Sequence, residues 1–342
     1  MKSIKKYVFS AVLFVILILG TYYFILKDYS LTDFVNSLQY CNPRILIWAF
    51  GLLFSYAFFH CLYLKRMFFH LGYKISWYQA LGYIMTEVYF SAITPSSMGG
   101  QPVEMMEMSK DKIPYRVNSV VILLNTLLYK VALILLALIG FALFWDKLFS
   151  FNVLFNWLVL LGFGTTLLVM FFFFLLIYSN KLMEKLLRVA IKVLKKFKVK
   201  NIEEKERELH QSLKDYQECA RFTKKHPKIL LEALVILMGQ RLSILAISYV
   251  IYLAFGLNLL SFFEVVAFQV CITLGSDFMP FPGGVVVSEG LLLQANQVIY
   301  GSALATSGMM LLRGISFYLL VIFSFIFYLI FHFVKRKKAI IM

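Results

Sequence analysis

The sequence predicts an all-α polytopic membrane protein of about six full spans plus two re-entrant broken-helix hairpins, arranged as an inverted repeat. Three observations lead there. Hydrophobic residues make up 61% of the chain and charged residues only 15%, where a soluble domain has about 45–50% and about 25%. The apolar residues fall in runs long enough to cross a bilayer core, which takes about 20 residues of helix. Two of those runs are broken by related motifs, Pro95-Ser96-Ser97-Met98-Gly99-Gly100 and Pro280-Phe281-Pro282-Gly283-Gly284, each followed by a glutamate, Glu104 and Glu289. Proline removes a backbone donor and glycine loosens a helix, so each break frees peptide groups that hydrocarbon cannot satisfy. Paired breaks in the two halves of a membrane protein point to a transport site.

The elements follow in order. Full spans are expected over Tyr7–Leu26, Ile45–Leu64, Val117–Phe144, Val153–Tyr178, Ile229–Phe255 and Ala303–Phe333. The first has a basic start like a signal peptide but lacks a small-residue cleavage site, and is read as an uncleaved span. Trp77–Ile93 and Phe263–Met279 run into the two breaks, and the second continues beyond its break as Val285–Tyr300. If both broken segments cross fully, the count becomes eight or more spans. The expected organisation is a first transmembrane half over residues 1–179, a basic amphipathic cytoplasmic connector over 180–228, and a second transmembrane half over 229–342.

Charge sets the orientation. The net charge of +16 sits in short clusters between apolar runs, as in cytoplasmic membrane loops, and not in a nucleic-acid footprint. Lys2, Lys5, Lys6, Lys65, Arg66, Lys74, Lys110, Lys112, Arg116 and Lys335–Lys338 all fall on one side of the expected topology, which places both termini in the cytoplasm. The connector carries fifteen Lys or Arg against seven acids. Within it, Met183, Leu186, Leu187, Ala190, Ile191 and Leu194 recur at helical spacing, as in a helix lying on anionic headgroups.

Ionisable residues inside apolar runs cost about 2.5–3.5 kcal/mol on insertion scales, so they pair or face a cavity. Here they are Glu87, Lys130, Arg241 (beside Gln240), Asp277, Glu289 and Arg313, with Glu104 and Glu107 near the first break. Lys130, Arg241 and Arg313 suit an anionic lipid headgroup, arginine through two-pronged contact with phosphate. Freed amides at Gly99-Gly100 and Gly283-Gly284 add donors to the same anion. The bland alternatives are internal ion pairs for the charges and close packing or a hinge for the glycines. Cys41, Cys61, Cys219 and Cys271 form no C-x-x-C pair, the five histidines have no metal-ligand spacing, and no P-loop, nucleophile elbow or dinucleotide fingerprint is present. No metal, cofactor or nucleic-acid partner is expected.

Thr94-Pro95-Ser96-Ser97-Met98-Gly99-Gly100-Gln101-Pro102-Val103-Glu104, and Pro280-Phe281-Pro282-Gly283-Gly284 with Glu289, resemble the motifs of the transmembrane region of lysylphosphatidylglycerol synthases, a flippase-like family. The resemblance covers nearly the whole chain. It implies a cell membrane of bacterial type and movement of an anionic or aminoacylated phospholipid, or a related lipid-linked headgroup, between leaflets. In the two-part bacterial resistance factor of this family a separate soluble domain makes that lipid; such a domain is not expected here, so a lysyltransferase activity has no residues to carry it. The chain departs from many relatives, which have Gly-Glu followed by Arg where it has Gly100-Gln101, and a third glycine where it has Val285. The two motifs and the intramembrane charges together give the expected substrate site: Glu87, Pro95, Ser96, Ser97, Gly99, Gly100, Gln101, Glu104, Lys130, Gln240, Arg241, Asp277, Pro280, Pro282, Gly283, Gly284, Glu289 and Arg313. Competing readings are a membrane accessory of a separately encoded lipid-modifying or glycosyl-transferring enzyme, and an intramembrane enzyme. Neighbouring genes would separate the accessory reading from the translocase.

Overall fold

The computed structural model describes residues 38–94, 99–150, 153–178, 221–277 and 296–341, with 35, 36, 207, 211, 214, 217 and 218 besides. The expected first span, Pro95, Ser96 and Ser97, the amphipathic stretch 183–194 and the second broken motif, with Pro280, Pro282, Gly283, Gly284 and Glu289, lie outside the described residues.

Local chemistry opens and closes the helices. Helix α1 (Pro43–His70) starts where the Asn42 side chain accepts from the Arg44 amide at 3.0 Å, with proline at its first position. It ends at Gly72, whose φ of +85° suits a residue without a Cβ and lets the chain turn. Helix α2 (Trp77–Ala92) opens on a reciprocal capping box between Ser76 and Gln79. Then come α3 (Gly100–Lys110), α4 (Tyr115–Leu148, kinked at Phe144) and α5 (Val153–Tyr178). In the second half α6 (Pro227–Leu245) and α7 (Ile247–Ala254) run on nearly end to end, followed by α8 (Phe262–Asp277). A short helical stretch, 296–300, leads to α9 (Ala305–Arg313). A π-helical turn (Gly314–Leu319) joins α9 to α10 (Leu320–Ile341).

Five stretches are long and apolar enough to cross a membrane: Pro43–His70, Tyr115–Leu148, Phe155–Phe172, Pro227–Ala254 and Ala305–Val334. They match the five expected spans that fall on described residues. Large apolar side chains such as Trp48, Phe54, Leu168, Phe171 and Phe323 are exposed along them. A soluble protein does not present such contiguous apolar surface, whereas a bilayer demands it.

Helix α1 packs antiparallel along the whole α6–α7 pair. The Asn42 amide donates to the Ala254 carbonyl at 2.7 Å, the Ser55 and Ser243 hydroxyls meet at 2.9 Å, and Arg66 pairs with Glu232 at the far end. Around this axis the two halves exchange partners: α2 packs on α10, and α8 packs on α4. Each helix that leads into a broken motif thus lies against the long helix that follows the break in the other half.

The first break is a hairpin. An added Cβ on Gly100 would lie 2.0 Å from the Ser91 hydroxyl and 2.5 Å from the Glu87 carbonyl oxygen. At the other end of the pair, Tyr83 donates to Asp111. Position 100 therefore faces 87–91 and position 111 faces 83, so α3 runs back along α2. At 1.5 Å per residue α2 is about 24 Å long and α3 about 17 Å, against a hydrocarbon core of about 30 Å. Both are shorter than that core, and the antiparallel run brings the end of α3 back beside the start of α2. Its base is tied down by Lys110 to Glu107, and by the Asn118 amide, which donates to the Ser109 hydroxyl at 3.2 Å and the Ile113 carbonyl at 3.3 Å.

Candidate functional site

The hairpin carries two carboxylates into the bundle interior. Glu87 on α2 is partly buried and accepts from the Ser91 hydroxyl at 2.9 Å. Glu104 on α3 is only 2% exposed, and its Oε1 has no hydrogen-bond partner. The close backbone approach at Gly100 brings the two carboxylates within electrostatic range of one another.

Across from them, Gln240 and Arg241 sit at the middle of the Pro227–Ala254 stretch, about 20 Å from either end at 1.5 Å per residue. A charge at that depth cannot reach an interface by extending its side chain. The Arg241 guanidinium lies 3.7 Å from the Tyr129 ring centroid, and Lys130 stands 5.2 Å from the same ring. A cation over an aromatic face is held by the ring quadrupole without neutralising its charge. Arg241 acts electrostatically on Glu87, and on Tyr56 and His60 of α1. Its Nε has no hydrogen-bond partner, and no described carboxylate lies within ion-pair distance of it.

Polar side chains close the rest of the cluster. Gln101 donates to the Thr126 hydroxyl at 2.8 Å, fixing α3 against α4, and Asn125 meets His60 at 3.5 Å. The His60 Nδ1 and Gln240 Oε1, both buried, have no partners. Gly99 donates to the Thr94 hydroxyl at 2.9 Å, so part of the first break is satisfied by its own side chain.

Of the residues the sequence singled out, the structure gathers Glu87, Gly100, Gln101, Glu104, Lys130, Gln240 and Arg241 into one region. Arg313 ends α9, which packs on α7, and its guanidinium lies 6.0 Å from the Phe317 ring just before the backbone widens into the π-turn. Asp277 is the last residue of α8. Sequence reasoning missed Tyr56, His60, Ser91, Asn125, Thr126 and Tyr129. Tyr56 and His60, four apart on one face of an apolar helix, were the available signal.

A groove of about 300 Å³ runs beside this cluster on the outer surface of the bundle, at the level of Phe50–Ala57 on α1. Leu81 and Met85 of α2 and Phe323, Phe327 and Ile330 of α10 complete its apolar lining. Tyr56 and Ala57 are neighbours in sequence, so the polar cluster and the apolar groove share a height on α1.

Membrane-length helices around a hairpin that carries buried charge define a multi-pass membrane protein with an intramembrane polar site. More particularly, the chain belongs to the family described as the lysylphosphatidylglycerol synthase TM region, whose model matches residues 7–324. It is similar to a UPF0104 membrane protein of Archaeoglobus fulgidus, 24% identical over 280 residues that cover 80% of this chain and 81% of the relative. No solved structure matches it.

Proposed function

We propose that this protein is a lipid translocase, moving an anionic or aminoacylated phospholipid or a related lipid-linked headgroup between leaflets of a cell membrane, with both termini cytoplasmic. Arg241 carries the reading. It is a cation at mid-span, oriented by Tyr129, with a buried Nε that has no acceptor and no described carboxylate in contact. A guanidinium so placed has Glu87 near it but no described carboxylate in contact, and phosphate matches its fork of donors. The neighbouring apolar groove suits acyl chains, which need not leave the bilayer while the headgroup moves. Family membership supports the same reading.

The test is leaflet-resolved movement of a fluorescent phosphatidylglycerol in proteoliposomes. Hydrogen bonds to a charged group contribute about 1.5–3 kcal/mol, so Arg241→Ala should slow movement by about tenfold to a hundredfold. Arg241→Lys keeps the charge but loses the fork and should fall between. Wild-type rates in both variants, correctly inserted, would overturn the proposal.

A further inference from the structure

The cluster's two carboxylates are not compensated alike. Glu87 is compensated by the Ser91 hydroxyl and by Arg241, whereas the charged group acting on Glu104 is Glu87, a like charge. Glu104 is 2% exposed and one of its oxygens has no donor. An ionised carboxylate in that position has almost no access to water, one oxygen without a donor and, among the described residues, no cation acting on it, whereas an interior charge requires such compensation. Among the described residues, the ionisable groups on the surrounding helices are not shown acting on Glu104 with the opposite sign. From α1 the site meets the Tyr56 hydroxyl and His60; from α2, Glu87 and, towards the base, Tyr83; from α6, Arg241, which acts on Glu87. Within α3 itself, Glu107 is paired with Lys110. On α4, Lys130 lies by Tyr129.

We propose that the Glu87–Glu104 pair is a proton-binding site that holds one proton, on Glu104, and that this proton and an anionic headgroup occupy the cluster together. The second half rests on the lipid reading; the first does not. The step is simple protonation, carboxylate plus proton giving the neutral acid. The linkage follows from Arg241. A phosphate that engages Arg241 draws its charge away from Glu87, making the carboxylate pair more negative and raising its affinity for a proton. By reciprocity, a bound proton favours the anion by the same factor. An anionic lipid thereby moves with its charge balanced, driven by a proton gradient and without nucleotide.

Infrared titration of the purified full-length protein in nanodiscs reads protonated carboxyl groups directly and requires no lipid movement. At neutral pH the wild type should show a protonated-carboxyl band that Glu104→Gln removes and Glu104→Asp displaces, so a poorly folding glutamine variant still leaves a readout. Glu87→Gln removes the like charge and should lower proton affinity at least tenfold, moving the titration to more acid pH. Phosphatidylglycerol nanodiscs should move it the other way relative to phosphatidylcholine. A band unaffected by both Glu104 substitutions, or a midpoint unmoved by Glu87→Gln, overturns the proton site. A midpoint that follows sodium concentration overturns it in favour of a metal cation. A midpoint indifferent to lipid charge overturns the coupling. If Arg241 variants move lipid normally while the titration behaves as described, the lipid reading alone has failed.

Discussion

Replacing Gly100 by alanine tests how the hairpin holds the site together. The added Cβ would sit 2.0 Å from the Ser91 Oγ and 2.5 Å from the Glu87 carbonyl oxygen. The first contact is with a side chain that can rotate. The second is with backbone in a helix, so α2 and α3 must separate to relieve it. Overpacking of this kind costs about 1–3 kcal/mol, and its direct consequence is a wider gap between Glu87 and Glu104. Gly82→Ala is the control. Its Cβ would meet the Phe331 ring at 2.4 Å, but a ring can shift without moving backbone of the hairpin. Thermal unfolding in detergent should show Gly100→Ala destabilised by several degrees. Adding Ser91→Gly should recover only part of that loss, because the backbone contact remains. Full recovery in the double variant would show that only the serine was in the way. A Gly100→Ala protein as stable as wild type would refute the close-approach argument altogether.

Cysteines substituted for Lys74 and Lys112, exposed residues before and after the hairpin, should react with an impermeant maleimide from the same side of the membrane, and labelling from opposite sides would refute the re-entrant geometry. The native background is low among the described residues, because Cys41, Cys61 and Cys271 are buried and burial pushes the Cys41 thiol above its ordinary range. Glu232→Gln breaks an ion pair with Arg66 and alters a contact with His70, side chains that are a fifth to nearly half exposed. Such pairs contribute no more than about 1 kcal/mol, so the melting temperature should fall only slightly, and a large loss would show that they hold α1 to α6.

The parts of this architecture that were legible in sequence were those with a steep energetic penalty. Hydrocarbon leaves no choice about twenty-residue apolar helices, and the five expected spans on described residues coincide with the five found. Glu87, Glu104, Lys130 and Arg241 were legible because an ionisable group in an apolar run must be explained. The hairpin's direction was inferred from where lysines fell, and its geometry rests on contacts that no spacing rule specifies: Gly100 against Glu87, and Tyr83 against Asp111. Tyr56, His60 and Tyr129 escaped because tyrosine and histidine are at home in both core and interface, so their presence in a span carries little signal. Their role appears only when packing brings Arg241 onto the ring of Tyr129.

The plainest objection to a binding site is that its charges are a structural staple, and the protein's other ion pairs answer it. Where described residues form stapling pairs, the pairs close. Arg66 meets Glu232, Arg116 meets Glu218 at 2.9 Å, Lys110 meets Glu107 and Lys147 meets Glu264, and all of these stand near helix ends where water shares the load. At the centre of the bundle, where an open charge costs most, Arg241 remains out of contact with both nearby carboxylates. A staple at that depth would be expected to close more tightly than those at the rim, not less. The two readings also differ in what Arg241→Ala does to the fold. Breaking a buried staple strands its partner and costs about 3–5 kcal/mol, enough to unfold a marginal protein. Removing a cation that acts on Glu87 only from a distance breaks no contact, and the Ser91 hydroxyl still holds that carboxylate. The variant should therefore insert and melt close to wild type while losing lipid movement, and a collapse in thermal stability would return Arg241 to a purely structural role.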